Sequence, residues 1–170
     1  MVHRRSKKVI QQAHEKIDAF TKNGSEVVRP LQRKLRNIMW KHCGVVRDET
    51  TMVQGIKEIN QLKAAMPHID VRPDSEGFED LVLAFDLEAS IYSAEATILP
   101  AILRKESRGA HQRSDFEETS EEQNVNYHSY LAQNGKIVLK QQEIGTANEA
   151  FTKMISATKG IDDFTGMLLE

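Results

Sequence analysis

The chain has 170 residues, of which 39% are hydrophobic and 28% charged, a balance typical of one folded domain with or without a tail. Its formal net charge of −2 argues against a general nucleic-acid or membrane-surface binder, which needs an excess of positive charge. Cys43 is the sole cysteine, so the sequence predicts neither a disulfide framework nor a cysteine-based metal site.

The compartment is inferred from what the sequence lacks. No apolar run has the length needed to span a bilayer, and the N-terminus has no signal-peptide core. Together with the lone thiol, this indicates a cytoplasmic location, with any membrane association made through partner subunits. The basic cluster at residues 3–8 has two interpretations: a solvated first turn, or a contact for a phosphate or a partner.

The first two helices are predicted from apolar residues spaced three and four positions apart. The first carries the stripe Ile10, Ala13, Ile17 and Phe20. It ends at Asn23-Gly24, a pair typical of a left-handed helix cap. The second begins near Ser25 or Pro30 and ends at His42. Its predicted inner face consists of Val27, Leu31, Leu35, Ile38 and Met39.

Two further helices follow the same periodicity. The third begins at Asp48 or Thr50 and is closed by Pro67. Its predicted stripe is Met52, Ile56, Ile59, Leu62 and Met66. The fourth is the longest, at residues 78–105, and Pro100 is expected to kink or break it. Its main predicted stripe is Phe78, Leu81, Phe85, Ala89, Tyr92, Ala96, Leu99 and Leu103, widened by Leu87, Ile91, Ile98 and Ile102.

The remainder of the chain predicts a different kind of structure. Residues 125–131 alternate apolar and polar side chains, and Asn134-Gly135 then gives the strongest short hairpin signal. A polar, acidic loop precedes this hairpin, and a short helix at residues 148–158 follows it. The sequence thus predicts a mainly α fold: an antiparallel bundle of three or four helices resembling a spectrin repeat, at residues 1–116. Residues 117–170 form a loop, hairpin and tail packed on it.

Few residues of this chain suggest catalytic chemistry. No glycine-rich phosphate loop opens a helix, so no nucleotide site is expected here. The six histidines have no partners at metal-ligand spacing, so no metal site is expected. Ser107 and His111 are four residues apart, but a turn at Gly109 would spoil their geometry as nucleophile and base. The sequence therefore predicts no catalytic, cofactor-binding or metal-binding residue.

The run ESRGAHQRSDF at residues 106–116 is the most distinctive segment of the chain. Its arginines have two possible uses: internal pairing with nearby acids and helix-end carbonyls, or docking of an acidic or carbonyl-rich surface or of a dicarboxylate. His111 is likewise either a structural imidazole or an interface hydrogen-bonding group. The predicted interface and structural residues of this turn are Glu106, Ser107, Arg108, Gly109, His111, Arg113 and Asp115.

This run resembles the ESRGAHxRxDF signature in the C-terminal region of the succinate dehydrogenase and fumarate reductase flavoprotein subunit. The resemblance is collinear over about residues 28–144. Besides the signature, it rests on residues 30–32, 39–40, 44–48, 56–63, 86–88, 94–96 and 124–131. L-aspartate oxidases, which are related, usually have leucine where this chain has Ala110, and adenylylsulfate reductase is a third relative. Two residues depart from the family pattern. Glu117 stands where the family usually has proline, and Pro100 lies inside a helix that the family usually keeps free of proline.

The resemblance implies a chain that is one part of an enzyme. In the family, FAD and a dicarboxylate bind in preceding domains, where a hydride passes between a substrate carbon and flavin N5 and an arginine relays the proton. The electrons then pass to an iron–sulfur subunit. The helical domain supports the FAD domain, and no family catalytic residue maps onto this chain. The expected partners are thus the FAD-binding domain of the same subunit, together with the iron–sulfur subunit, and the isolated domain is expected to self-associate.

A free-standing helical adaptor is the alternative interpretation. Its candidate surfaces are the loop at residues 71–77, the acidic residues 117–122 and the arginine-rich turn. A domain detached from its neighbours is expected to expose an apolar or charged patch, here near Arg108 and the hairpin.

Overall fold

The computed structural model describes residues 2–22, 24–72, 78–145 and 148–158, and at residues 2–5 and 155–158 it describes the backbone alone. The helices are α1 (Val2–Phe20), α2 (Val28–His42), α3 (Glu49–Ala65), α4 (Phe78–Leu103) and α5 (Glu149–Thr158). The strands are β1 (Val46–Arg47), β2 (Gln112–Arg113), β3 (Val125–Leu131) and β4 (Ile137–Glu143). The predicted mainly α fold with a small hairpin is confirmed.

The core lies among α2, α3 and α4, each of which contacts the other two. Its fully buried side chains include Val28, Met52, Ile59, Leu62, Leu87, Ile91 and Ile98. The Asp48 carboxylate caps α3 by accepting a hydrogen bond from the Thr51 backbone N–H at 2.9 Å, so the helix begins at the first of its two predicted start positions. On α2, the expected inner residue Val27 is 56% exposed, and Val28 takes the core position instead.

The first helix is not a full member of the bundle, although the sequence predicts an apolar stripe on it and a bundle of three or four helices. Of its stripe, Ile10 is 57% exposed, and Phe20 at the end of α1 is buried. Phe20 packs edge-on against Phe85 with 5.4 Å between ring centroids. Periodicity identifies the apolar side of a helix but not what covers it, and here most of that side is left open.

The residues of α4 that are buried also differ from the predicted main stripe. Of the expected main stripe, Phe78 and Leu103 are 66% and 46% exposed. The expected flanking residues Leu87, Ile91 and Ile98 are instead the fully buried ones, together with the small residues Ala84 and Ala94. Because α4 is apolar on nearly every side, its sequence alone does not identify which side faces α2 and α3.

Pro100 lies inside α4 without breaking it, and the helix ends at Leu103, two residues before the predicted end. Proline has no N–H, so the carbonyl of Ala96, four residues earlier, loses its helical hydrogen-bond partner. The Ser129 hydroxyl on β3 donates to that carbonyl at 2.9 Å. The proline thus leaves a free acceptor on α4, and the hairpin docks at it.

Replacing Ser129 with alanine is expected to lower the free energy of unfolding by about 1–3 kcal/mol, because the Ala96 carbonyl then lacks a partner. Ser93→Ala is the matched control, since the Ser93 hydroxyl donates to an exposed carbonyl, that of Ala89, which already has a helical donor. Adding Pro100→Ala should recover part of the Ser129→Ala loss by restoring a backbone donor. Additive effects in this double-mutant cycle, measured by denaturant unfolding, would contradict the coupling.

The β3–β4 hairpin pairs antiparallel from Val125–Glu143 to Leu131–Ile137. Its turn contains Gly135 at φ 73°, which confirms the Asn-Gly prediction. Both strands contact α4. The division of the chain at residue 116 stays a prediction, and the predicted Asn23 cap, residues 73–77 of the loop and the tail at residues 159–170 lie outside the described residues.

Candidate functional site in the signature turn

The signature turn, residues 106–116, folds back on itself directly after α4. Arg108 and His111 exchange backbone hydrogen bonds of 2.9 and 3.0 Å around Gly109 and Ala110. Gly109 has φ 58°, a left-handed conformation that disfavours other residues, whereas a Cβ added there would meet nothing within 4 Å. The glycine therefore serves the backbone angle and not a close packing contact.

Glu106 lies at the centre of the turn, and its side chain has no exposure to solvent. One carboxylate oxygen, Oε1, accepts hydrogen bonds from the guanidinium groups of Arg104 and Arg108. The other, Oε2, accepts from the Ser120 backbone N–H at 2.9 Å. Burial alone would raise the pKa of Glu106, but these hydrogen bonds outweigh it and lower that pKa to about 2. Glu106 is therefore a buried anion joining the end of α4 to the loop after the signature.

Arg113 is the second buried ion of the turn, again with no side-chain exposure. Its Nη1 donates to three carbonyls, those of Ala101 at 2.9 Å, Arg104 at 3.1 Å and Ile102 at 3.3 Å. These carbonyls lie in the last turn of α4 and at the residue that follows it, where helical donors are missing. Arg113 therefore caps α4 from a distant position in the sequence.

Asp115 completes the Arg113 contact and links it to α3. Its two carboxylate oxygens accept from Nε and Nη2 of Arg113, each at 2.6 Å, in a bidentate pair. Oδ2 also accepts from the Glu49 backbone N–H, the first residue of α3, at 2.9 Å. The bonds from Arg113 lower the pKa of Asp115 to about 2 against the opposing effect of burial. One carboxylate thus ties the end of α4 to the start of α3.

His111 is held as a neutral imidazole by its two partners. The Arg47 Nη1 lies 3.1 Å from Nδ1, and because a guanidinium can only donate, Nδ1 must accept. Nε2 then carries the proton and donates to the Arg104 carbonyl at 3.2 Å. Burial lowers the pKa of His111, and the positive charge of Arg47 adds to that shift. These contacts correspond to the structural interpretation of this histidine.

Ser107 does not face His111, so a nucleophile–base pair is not formed. Its hydroxyl accepts from the Arg113 backbone N–H at 2.8 Å and donates to the Phe116 carbonyl at 2.9 Å. Its own backbone N–H donates to the Glu118 carbonyl at 3.0 Å. Despite Glu117 in place of the usual proline, the chain after the signature is thus bonded directly to it.

Of the seven residues predicted for this site, six are hydrogen-bonded to one another directly or through the Arg104 carbonyl, and Gly109 provides the turn between Arg108 and His111. Sequence reasoning missed Arg47, which reaches the turn because β1 and β2 pair in parallel with Val46 opposite Gln112 and Arg47 opposite Arg113. No local signal indicates that pairing, since each strand has two residues. Among the described residues, no group of three or more histidine, cysteine, aspartate or glutamate side chains is arranged to hold a metal ion.

The two depressed pKa values predict a specific acid sensitivity. The usual values are 4.5 for a glutamate and 3.8 for an aspartate, against about 2 for folded Glu106 and Asp115. The unfolded chain therefore binds protons first as the pH falls, so the stability from both groups is complete above about pH 4.5 and is lost toward pH 2. Denaturant unfolding across this window should show a loss of about 2–5 kcal/mol. The loss should shrink in Asp115→Asn, and an unchanged profile in that variant would contradict it.

The fold and the turn define a helical domain that carries a flavoprotein signature. The family model for the fumarate reductase flavoprotein C-terminus matches residues 32–156. The chain belongs to this family of C-terminal domains of succinate dehydrogenase and fumarate reductase flavoprotein subunits. No helix in the described part of the chain has the length and apolar character needed to cross a membrane.

Curated relatives extend well beyond this chain. The fumarate reductase flavoprotein subunit of Haemophilus influenzae is 33% identical over 105 residues, which is 61% of this chain and 17% of that protein. The succinate dehydrogenase flavoprotein subunit of Rickettsia conorii is 30% identical over 124 residues, or 72% of this chain and 21% of that protein. The chain thus spans about a fifth of the length of these relatives.

Solved structures share the fold. A chain of Escherichia coli quinol fumarate reductase matches with a TM-score of 0.74 and 21% identity, covering 84% of this chain and 26% of that one. Mycobacterium smegmatis Sdh1, solved in complex with UQ1, gives a TM-score of 0.76 at 20% identity, with 82% and 24% coverage. An adenosine-5-phosphosulfate reductase structure reaches 0.71 at 16% identity, covering 82% and 25%. The fold is therefore common to several reductases and by itself does not separate their substrates.

Proposed function

We propose that this chain is the scaffold segment of an FAD-dependent succinate/fumarate oxidoreductase flavoprotein and has no catalytic activity alone. The observation that carries this is the inward orientation of the signature turn. Glu106 and Arg113 are fully buried charged side chains of the turn. Their contacts are made with the end of α4, the start of α3 and the loop that follows the signature. Because their hydrogen-bonding groups are occupied within the chain, these side chains hold the fold together and are not free to bind a substrate.

The residues of the turn do not fit FAD. Binding its pyrophosphate requires free backbone N–H groups or cations, and a glycine-rich approach to a helix N-terminus. Here Arg104 and Arg113 are committed to buried acceptors, and the backbone N–H of Glu49 at the start of α3 is taken by Asp115. The flavin and the dicarboxylate are therefore assigned to the part of the subunit that precedes this segment in the relatives.

The exposed apolar surface supports partners on more than one side. On α1, Val9 is 63% and Ile10 57% exposed, and on the hairpin, Tyr130, Leu131 and Val138 are between 51% and 55% exposed. Exposed apolar side chains of this kind are usually covered by another domain or chain when they form a patch. The proposed partners are the FAD-binding domain of the same subunit, together with the iron–sulfur subunit, through which any membrane association is made.

The proposal is tested by the flavin content of the purified chain. Expression with added riboflavin should yield a protein whose visible absorbance shows no stoichiometric flavin, and which neither oxidises succinate nor reduces fumarate. Bound flavin at one per chain, or either activity, would reject the assignment.

Gene context separates this function from the adaptor. A FAD-binding segment encoded upstream in the same reading frame supports the scaffold, and co-expression of the two should give a flavin-containing complex. A genome without such a segment would favour a free-standing adaptor.

A further inference from the structure

The outer side of α2 carries a row of side chains that the signature turn does not use. Arg33, Arg36 and Trp40 are three and four residues apart, so they line one side of the helix, opposite the buried Leu31 and Leu35. All three are exposed, and Trp40 is 79% exposed, an unusual state for the largest apolar side chain. We call this row the outer stripe.

An apolar patch lies at the C-terminal end of the outer stripe. Val45 and Val46 are 71% and 67% exposed and follow Trp40 within six residues. The turn between them is tight, because a Cβ added to Gly44 would lie 2.7 Å from the Trp40 carbonyl oxygen. The Trp40 patch, formed by Trp40, Val45 and Val46, is thus an exposed apolar surface at the end of a basic helix.

The charge of helix α2 itself is one-sided. Helix α2 contains no acidic residue, although the whole chain has a net charge of −2. Arg29 pairs with Asp80 and Glu79 on α4. Among the described residues, Arg33 and Arg36 have no carboxylate within ion-pair distance. The outer stripe therefore presents two unpaired guanidinium groups next to an exposed indole, and tryptophan and arginine are the residues most enriched where protein interfaces concentrate their binding energy.

The same chain carries a complementary surface in the acidic loop, residues 117–122. Its four glutamates are Glu117, Glu118, Glu121 and Glu122, and all are exposed. The loop is fixed to the signature turn, since Glu118 accepts a backbone bond from Ser107 and the Ser120 N–H donates to Glu106. None of the four carboxylates lies within ion-pair distance of a cation in the part of the chain that the structure describes. The loop is therefore a negatively charged surface that is held in place, with Glu121 near enough to Arg108 to raise the pKa of that guanidinium.

We propose that the acidic loop of one copy of this chain binds the outer stripe and the Trp40 patch of a second copy. The charges orient the two copies, and burial of the patch supplies the attraction that screened surface ion pairs lack. Two different surfaces meet, so the contact is heterologous. This inference is independent of the proposed function, because it uses no residue of the flavoprotein signature as a contact.

A nucleic acid is the less suitable occupant. Binding to phosphates needs many cations, whereas the outer stripe has two and the chain as a whole is negative. The apolar Val45 and Val46 side chains fit a protein surface better than a phosphate backbone.

Trp40 provides a direct reporter, since it is the single tryptophan of the chain. Its fluorescence emission and the sedimentation coefficient of the full chain are measured together across a concentration series. We expect the emission to shift to the blue as larger species form, and high salt to weaken the association without abolishing it, because salt screens the charges but not the burial of the patch. A monomer with unshifted emission at the highest concentration would overturn the proposal, and so would a shift seen solely after duplex DNA is added.

Charge reversal identifies the surfaces. Arg33→Glu with Arg36→Glu should weaken association about tenfold, as should Glu121→Lys with Glu122→Lys, from the loss of two screened ion pairs and new like-charge contacts. A mixture of the two variants should associate again, because the first variant keeps its acidic loop, the second keeps its outer stripe, and these two surfaces are complementary. Lys7→Glu with Lys8→Glu on α1 is the matched control and should leave association unchanged. Association that survives reversal of the outer stripe would contradict the contact, and far-ultraviolet circular dichroism verifies that each variant is folded.

Discussion

Replacing Glu106 with glutamine is expected to lower the free energy of unfolding by about 3–5 kcal/mol. The amide keeps the shape of the side chain but removes the negative charge between Arg104 and Arg108. The Arg104 guanidinium is 17% exposed, so it is left largely buried without its counterion. Removing one member of a buried ion pair costs far more than the pair contributes, because the remaining charge stays desolvated.

The measurement for Glu106→Gln is denaturant unfolding at neutral pH, compared with Glu117→Gln, which removes the same charge from an exposed position. The control should stay within about 0.5 kcal/mol of the original chain. The variant should also lose part of its acid sensitivity, because the group whose pKa is about 2 is gone. A loss below about 1 kcal/mol would show that Glu106 is not a buried counterion.

Replacing Arg113 with methionine is expected to cost a similar amount, about 3–5 kcal/mol, for two reasons. The carbonyls of Ala101 and Arg104 at the end of α4 lose their donor, and Asp115 loses its bidentate partner. Methionine fills most of the space of the arginine stem, so a cavity contributes little. The end of α4 should fray, and hydrogen exchange there should speed up.

Arg113→Lys separates charge from geometry. An ammonium group can satisfy one acceptor but not the fork that reaches both Asp115 oxygens and the helix carbonyls together. We therefore expect lysine to recover less than half of the loss. Lys34→Met, at an exposed position of α2 outside the outer stripe, is the matched control and should be nearly neutral. Full rescue by lysine would show that charge alone matters at this position.

The sequence predicts the elements whose signals are local. The start of α3 next to Asp48 and the Asn-Gly hairpin turn follow from neighbouring residues, and both are found in the structure. The covering of α1 does not follow, because Ile10 has helical spacing whether or not another chain lies over it. Pro100 combines both cases. The hydrogen bond that it removes from α4 follows from the local sequence, but Ser129, which donates to the freed carbonyl of Ala96, is 33 residues away from it.

The candidate site shows the same limit. The spacing of Glu106, Arg113 and Asp115 indicates an ion cluster, and the resemblance to the family identifies it. Whether the arginines face inward or outward depends on Ser120, Glu49 and the α4 carbonyls, which no pattern in the turn specifies. Long-range pairing therefore decides the role of a motif that local sequence only locates.

The parallel pairing of β1 with β2 has a consequence for the order of folding. It joins Arg47 to Arg113 across 66 positions, and α3 and α4 lie between its two ends. Closing that long loop costs conformational entropy, and the cost is small only after the two helices have docked against each other. The β1–β2 pairing therefore forms late. During refolding, the amide of Ser114, which donates to the Arg47 carbonyl, should acquire protection from hydrogen exchange after the amides of α3 and α4.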